Sequence, residues 1–294
     1  MLRPRSLLAA SIAWPVVSLL TIGPAAQQEK PTFRAGVTTV DIYATVRGSD
    51  GAFVPDLTRE DFEIKDDGVR REVAVFSREI VPITVTMMMD MSGSQEVGGE
   101  WMREAGHVLV DALLPADRAR IGTFGHEIAI SPRLTGDQAY LHRVLAEEIW
   151  PGGATPLWQA LDRAMTSLAN ESGRRVILVL TDGVNTQGVG YGRLVARSIR
   201  EGFMVYAVGR GLRVGSGLSI DMRNLATDSG GGYRVFPFGR EPKGAMLQVV
   251  DELHRQYLLG FTPAAFDGKV HKLEVKTKRG GTTVQARKSY LAAQ

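Results

Sequence analysis

Two carboxylates and three hydroxyls, spread over three short stretches of this chain, offer oxygen donors of one chemical kind. Asp90, Ser92 and Ser94 fall in Asp90-Met91-Ser92-Gly93-Ser94, directly after the apolar run Ile83-Thr84-Val85-Thr86-Met87-Met88-Met89. Thr155 stands in Gly152-Gly153-Ala154-Thr155-Pro156-Leu157, and Asp182 in Leu180-Thr181-Asp182-Gly183, at the end of a second apolar run. A strand that stops at D-x-S-x-S puts a carboxylate and two hydroxyls on one tight loop. Such oxygens are hard ligands, suited to Mg²⁺, Mn²⁺ or Ca²⁺. Each stretch taken alone has a plainer reading. D-x-S-x-S after a strand also makes a helix-capping turn, Thr155-Pro156 an N-cap with proline in the first helical turn, and Asp182-Gly183 a simple turn. Cap and ligand roles are compatible, because a side-chain oxygen can serve a cation while the backbone starts a helix.

These loops need elements that bring them together. From about Pro82 the pattern alternates strands (Ile83–Met89, Arg120–Phe124, Val176–Leu180, Met204–Val208, Tyr233–Phe236) with helices (about Glu100–Leu114, Gln138–Ile149, Pro156–Asn170, Gly192–Glu201, Asp221–Thr227 and Lys243–Tyr257). Apolar strands separated by helices imply a mostly parallel, doubly wound α/β sheet covered on both faces. Ligands of such sheets sit at the carboxyl ends of the strands, where Asp90 and Asp182 both fall. Before this segment, Val40, Ile42, Ala44 and Val46 alternate as a half-buried strand. Thr58 caps a short turn, and Phe62–Lys65 and Val73–Phe76 read as strands joined at Asp66-Asp67-Gly68. After Tyr257, Lys272–Thr277 and Thr283–Arg287 read as a hairpin. Few strands stand in either terminal block, too few for a core alone. The expected organisation is therefore a leader at 1–26, a β segment at 27–80, an α/β domain at 81–262, and a C-terminal β hairpin at 263–294 that packs with the N-terminal β segment.

Composition sets outer bounds. Hydrophobic content of 44% and charged content of 23% over 294 residues describe a globular chain that can bury a core. The formal charge is +3, of which Arg3 and Arg5 in the leader supply two, leaving about +1 in the remainder. No basic stripe interleaved with aromatics appears, so nothing points to nucleic acid. Arg3 and Arg5, the apolar run Leu7–Ile22 broken by Pro15, and Gly23-Pro24-Ala25-Ala26 read as a secretory signal peptide. The run is shorter than the roughly 20 residues of a spanning helix, which favours cleavage over retention as an anchor, and no later segment spans a membrane. The chain has no cysteine. That removes disulfides, thiolate metal sites, a cysteine nucleophile and a lipidated anchor, and fits export into a bacterial envelope, to the periplasm or beyond it.

Together, Asp90, Ser92, Ser94, Thr155 and Asp182 resemble the metal-ion-dependent adhesion site (MIDAS) of von Willebrand factor A (VWA) domains, in the order of that family. The flanking runs Leu57-Thr58-x-Glu60-Asp61-Phe62 and Tyr257-x-Leu259-Gly260-Phe261-Thr262-Pro263, with the ending Ala286-Arg287-Lys288-x-Tyr290, are similar to a VWA-related type common in Acidobacteria. The resemblance implies Ser92 and Ser94 as direct ligands and Thr155 as a ligand of the partner-competent state. It makes Asp90 and Asp182 direct or water-mediated carboxylates. It also implies a final helix, here Lys243–Tyr257, that moves when a partner is captured. Neutral first ligands leave the ion's charge under-compensated, so an acidic residue of a partner protein completes the coordination. The expected function is a metal-dependent protein-binding module of adhesion type, not an enzyme.

Other functions fit less well. A phosphatase with an aspartyl nucleophile wants an acid/base aspartate where Ser92 stands, and no G-x-S-x-G elbow for a serine hydrolase exists. A structural envelope protein with an idle metal site stays open. His107, His126, His142, His254 and His271 lack zinc spacing and read as surface or packing residues. Gly209-x-Gly211 and Gly188-x-Gly190 do not fit the G-x-G-x-x-G pattern that opens a helix in a phosphate loop, and read as loop. Trp101, Trp150 and Trp158 read as core packing, and the loop Gln95–Glu100 as a place for partner specificity.

Overall fold

The computed structural model describes residues 39–293 except 93–98, 148–152, 182–189, 211–216 and 237–240; the side chains of 210 and 217–219 also lie outside the description. The leader, Ser94, Asp182, Trp150 and most of the loop after the D-x-S-x-S motif therefore fall outside the described residues.

The chain opens with β1 (Val40–Gly48), then β2 (Phe62–Asp66), β3 (Val69–Arg71) and β4 (Val75–Ser77). The α/β segment follows with β5 (Ile83–Asp90), α1 (Gly99–Asp111), β6 (Arg118–Phe124), β7 (Ile128–Ile130), α2 (Gln138–Glu147), α3 (Leu157–Ser167) and β8 (Arg174–Thr181). It continues through α4 (Tyr191–Glu201), β9 (Met204–Arg210), α5 (Gly217–Asp228), β10 (Tyr233–Phe236) and α6 (Pro242–His254). The end is all strand: β11 (Tyr257–Phe261), β12 (Val270–Thr277), β13 (Thr282–Gln285) and β14 (Ser289–Leu291).

The central six-stranded sheet has the order β10-β9-β8-β5-β6-β7. Its strands are parallel except β7, which pairs antiparallel with β6 at the edge. This is the doubly wound α/β architecture expected from the sequence. β5 is buried at every position because both faces are covered. Strand alternation sends Ile83, Val85, Met87 and Met89 into a core with α1, α2 and α6, and Met88 into a core with α3, α4 and α5. Trp101 and Trp158 lie in these two cores, as expected of packing residues.

The terminal strands form two further four-stranded sheets, β13-β1-β11-β4 and β14-β12-β2-β3, over a shared core that includes Ile42, Phe62, Ile64, Tyr257, Leu259, Phe261 and Tyr290. Strands from both ends of the chain thus pair directly: Val40 to Ala44 with β11, Thr45 to Gly48 with β13, and β2 with β12. Three sequence expectations change here. β12 and β13 do not form a paired hairpin; β12 goes to β2 and β14, and β13 to β1. The turn Asp66-Asp67-Gly68 joins β2 to β3, while Val75–Ser77 crosses to β11. The last helix stops at His254, because Tyr257 enters β11 and its buried hydroxyl is needed elsewhere: it accepts from Leu57 N and donates to Val54 O.

The β2–β3 turn is held by an ion-pair group. His271 places Nδ1 3.2 Å from Asp66 and 2.9 Å from Asp67, and Nε2 3.1 Å from Asp267. Both ring nitrogens face carboxylates, so both donate and the ring carries a proton. The hydrogen bond to Asp267 is the main reason that the His271 pKa is raised, with the charges of Asp66 and Asp67 adding to it. The same bond, with the backbone N–H of Lys269, draws the Asp267 carboxyl down to about 2. A raised imidazole value gives stability that is full below the unfolded value of 6.5 and lost as pH climbs through the folded value. A depressed carboxyl value gives stability present above its unfolded 3.8 and lost as pH falls toward about 2. The melting-temperature gap between wild type and His271→Gln is therefore expected to be widest from about pH 4 to 6.5 and to narrow on both sides. A gap that stays constant from about pH 3 to 9 contradicts the protonated ring.

Candidate functional site

Asp90 closes the central strand, and its surroundings follow from sheet register. β5 lies between β6 and β8, so Asp90 aligns with Phe124 on one side, and Met89 with Leu180 on the other. The residue after Leu180 is Thr181, which arrives at the carboxylate. Asp90 shares the strand parity of Thr86 and Met88; the Thr86 hydroxyl meets Ser167 of α3, and Met88 packs in the α3 core. The Asp90 side chain thus belongs on the face from which α3 and the loop before it approach.

The carboxylate is fully buried. Thr181 Oγ1 donates to Oδ2 at 2.6 Å, and the backbone N–H of Ser92 donates to Oδ1 at 3.1 Å. Met91 N donates to Phe124 O, which pins the chain as it leaves the strand. Ser92 and Thr155 are 2% and 3% exposed. Burying a carboxylate costs several kcal/mol even after relaxation, and a hydrogen bond to a charged group returns about 1.5–3 kcal/mol. These two bonds offset part of that cost and hold both oxygens in place. The described donors Asp90, Ser92 and Thr155 offer oxygen, which suits a hard divalent cation.

Thr155 is not the helix cap that its sequence also allowed. Pro156 occupies the cap position of α3, no side-chain cap bond is made there, and Thr155 stands one residue earlier. Its loop is pressed against the β6–β7 turn. Gly153 has φ +88°, and a Cβ there would lie 2.5 Å from His126 N, so glycine is required on both counts. Beside this loop a groove of about 570 Å³ is lined by His126, Glu127, Ile128, Ala154, Pro156 and Arg163, among others.

Of the five residues read from sequence, the described structure includes Asp90, Ser92 and Thr155; Ser94 and Asp182 lie outside the described residues. The contribution that sequence reading missed is Thr181. The signal was available in Thr181-Asp182, where the strand's last inward hydroxyl precedes the acidic loop. Among the described residues, a grouping of three histidine or acidic ligand atoms within 4.8 Å occurs at Asp66, Asp67 and His271, in the terminal β sheet and not at the end of β5. The protonated ring already accounts for that group.

The chain matches the model of the von Willebrand factor type A domain over residues 84–239. No curated protein matches it. Among solved structures, a von Willebrand factor type A protein from Catenulispora acidiphila is 14% identical, with 89% of this chain and 76% of that chain covered and a TM-score of 0.50. Proximal thread matrix protein 1 from the mussel byssus, solved with a zinc-occupied MIDAS motif, is 19% identical over 63% of this chain and 48% of its own, with a TM-score of 0.50. An aerotolerance-related membrane protein from Bacteroides fragilis is 20% identical over 59% of this chain and 98% of its own, with a TM-score of 0.48. At these identities the likeness to the first two is one of fold.

Thr181→Val removes a donor to the buried carboxylate without changing side-chain volume much. In the presence of chelator it is expected to destabilise the protein by about 1.5–3 kcal/mol in chemical denaturation. A loss below about 0.5 kcal/mol, the range of ordinary surface changes, contradicts the role given to Thr181.

Proposed function

The chain belongs to the von Willebrand factor type A domain family, a family of metal-dependent adhesion and protein-interaction modules, and we propose that it captures an acidic group of a partner protein through a Mg²⁺- or Mn²⁺-type ion. The observation that carries this reading is the buried Asp90 carboxylate, held by Thr181 and the Ser92 amide at the carboxyl end of the central strand. In the proposed site Ser92 and Ser94 bind the ion through their hydroxyls. Asp90 and Asp182 hold it directly or through water, and Thr155 joins when a partner carboxylate arrives. Neutral hydroxyls leave the cation with unspent positive charge, and an incoming carboxylate supplies the missing ligand. The reading extends to location: the charged and apolar pattern of residues 1–26 supports export, to the periplasm or beyond it. No helix among the described residues is long and apolar enough to cross a membrane.

Titration calorimetry with Mg²⁺ is expected to show one site in wild type and none in Asp90→Ala; equal uptake by both overturns the assignment. Removing the metal is expected to leave the far-ultraviolet dichroism intact, because the cores on both sheet faces do not depend on it, unlike a zinc finger. Thr155→Ala is expected to keep the metal. Capture of the acidic partner from envelope extract at saturating Mg²⁺ then falls by roughly 30- to 150-fold, the equivalent of one charge-assisted bond. Capture that survives both chelator and Thr155→Ala means that the partner binds elsewhere.

A further inference from the structure

The opposite end of the central sheet holds a concentration of positive charge that the metal reading leaves unused. A cavity of about 40 Å³ lies where the first residues of β8 and β9 meet β1; its lining includes Arg174, Arg175, Arg287, Asp41, Tyr43 and Ser229. Three guanidinium groups face one carboxylate there. Arg175 is satisfied by the carbonyls of Ala169 and Glu201. Arg174, 3% exposed, donates through Nη1 to Leu253 O and Gln256 Oε1 and through Nη2 to Val81 O, all neutral acceptors. Its Nε is buried and has no acceptor.

Arg287 is the more exceptional group. Its Nε is likewise buried without an acceptor, and among the described residues its guanidinium has no side-chain hydrogen bond and no carboxylate within ion-pair distance. Burial, the largest influence, brings its pKa down to about 10, with the charge of Asp41 opposing. Its position is fixed by backbone. Arg287 bridges Ser229, Lys288 N donates to Asp228 O, and Gly230 at φ +88° leaves the room that the Arg287 amide occupies. Asp41, raised by its own partial desolvation, stands at the exposed rim and donates nothing to the balance beyond one distant charge.

A guanidinium held by rigid backbone, with a buried N–H lacking an acceptor, beside a second arginine whose Nε also lacks one, has the donor chemistry of an anion receptor. We propose that this cavity binds one small inorganic anion of chloride size between Arg287 and Arg174. A volume of about 40 Å³ admits such an ion and excludes bulky organic anions. The anion ties the terminal β layer, through Arg287, to the base of the α/β sheet, through Arg174. The site is at the far end of β8 from Thr181, so its occupancy is independent of the metal.

The test is thermal unfolding of the full chain in excess Mg²⁺, at constant ionic strength, with chloride replaced stepwise by gluconate. Chloride is expected to raise the melting temperature saturably, by about 2–4 °C at tenfold over its Kd, and Arg287→Gln is expected to abolish the rise. Asp41→Asn, at the exposed rim, is expected to fold normally and to reach saturation at lower chloride. A bromide soak of wild-type crystals, read by anomalous scattering, needs no variant and is expected to place a peak in the cavity. Equal melting in chloride and gluconate, a rise undiminished in Arg287→Gln, or no bromide in the cavity overturns the proposal; water then fills the space.

Discussion

A carboxylate with no exposure sits at the end of a strand buried at every position, and much of the architecture answers the electrostatic demand it makes. An ionised Asp90 could not be retained in an apolar sheet without compensation. The parallel register supplies it. β8 beside β5 delivers Thr181 to one oxygen, and the chain's own turn after β5 delivers the Ser92 amide to the other. Parallel neighbours require crossover helices, and those helices bring the next loops to the same edge of the sheet. Thr155 arrives there because α3 must start beside β5, and Gly153 lets its loop lie against the β6–β7 turn. Placing one carboxylate in this way brings Thr181, about ninety residues away in sequence, onto the turn that carries Asp90 and Ser92.

The other end of the sheet is organised by α6 and is polar where a core would be expected. Glu252, 3% exposed, accepts from Arg47 of β1 at 2.8 Å and from Arg234 of β10 at 2.5 Å. His254 pairs with Asp117 at 2.8 Å, and Gln256 donates to Thr45 of β1. Asp117 in turn accepts from Ile83 N and Leu114 N. A single helix therefore packs Met246, Val249 and Leu253 against the sheet and ends in side chains that grip the terminal β layer. Removing one partner from such a network leaves a buried charge uncompensated, so α6 and the two layers keep a fixed relation.

The strongly periodic parts of the chain were legible in its sequence. The continuous apolar runs of β5 and β8 imply a sheet buried on both faces, which is what the structure has, and the apolar-to-polar break after β5 marks where Asp90 closes the strand. The all-β ends were legible as strands but not as pairings. Lys272–Thr277 and Thr283–Arg287 alternate alike, and alternation has no means of choosing between a hairpin partner and a distant one; the register is settled by burying Leu273 and Tyr290 with Phe261 in one core. β7 and β3 escaped because strands of three residues carry too little periodicity. The sequence pattern runs the last helix from Lys243 through Tyr257, and Leu253 and Tyr257 are indeed spaced like a helical face. The buried demands of the Tyr257 hydroxyl override that spacing. Thr181 was hidden by its ordinariness: a threonine in a strand signals β propensity before it signals a hydrogen bond.

The account turns on where a divalent ion binds, and two places compete: the oxygen cluster at Asp90 and the Asp66, Asp67 and His271 group in the terminal layer. Crystals of the full chain equilibrated with Mn²⁺ and measured for anomalous scattering separate them directly. The predicted result is one strong peak at the carboxyl end of β5, within about 2.0–2.5 Å of the Ser92 hydroxyl and adjacent to Asp90. A peak at His271 alone, or none at saturating Mn²⁺, would contradict the claim that Asp90 is buried to hold a metal.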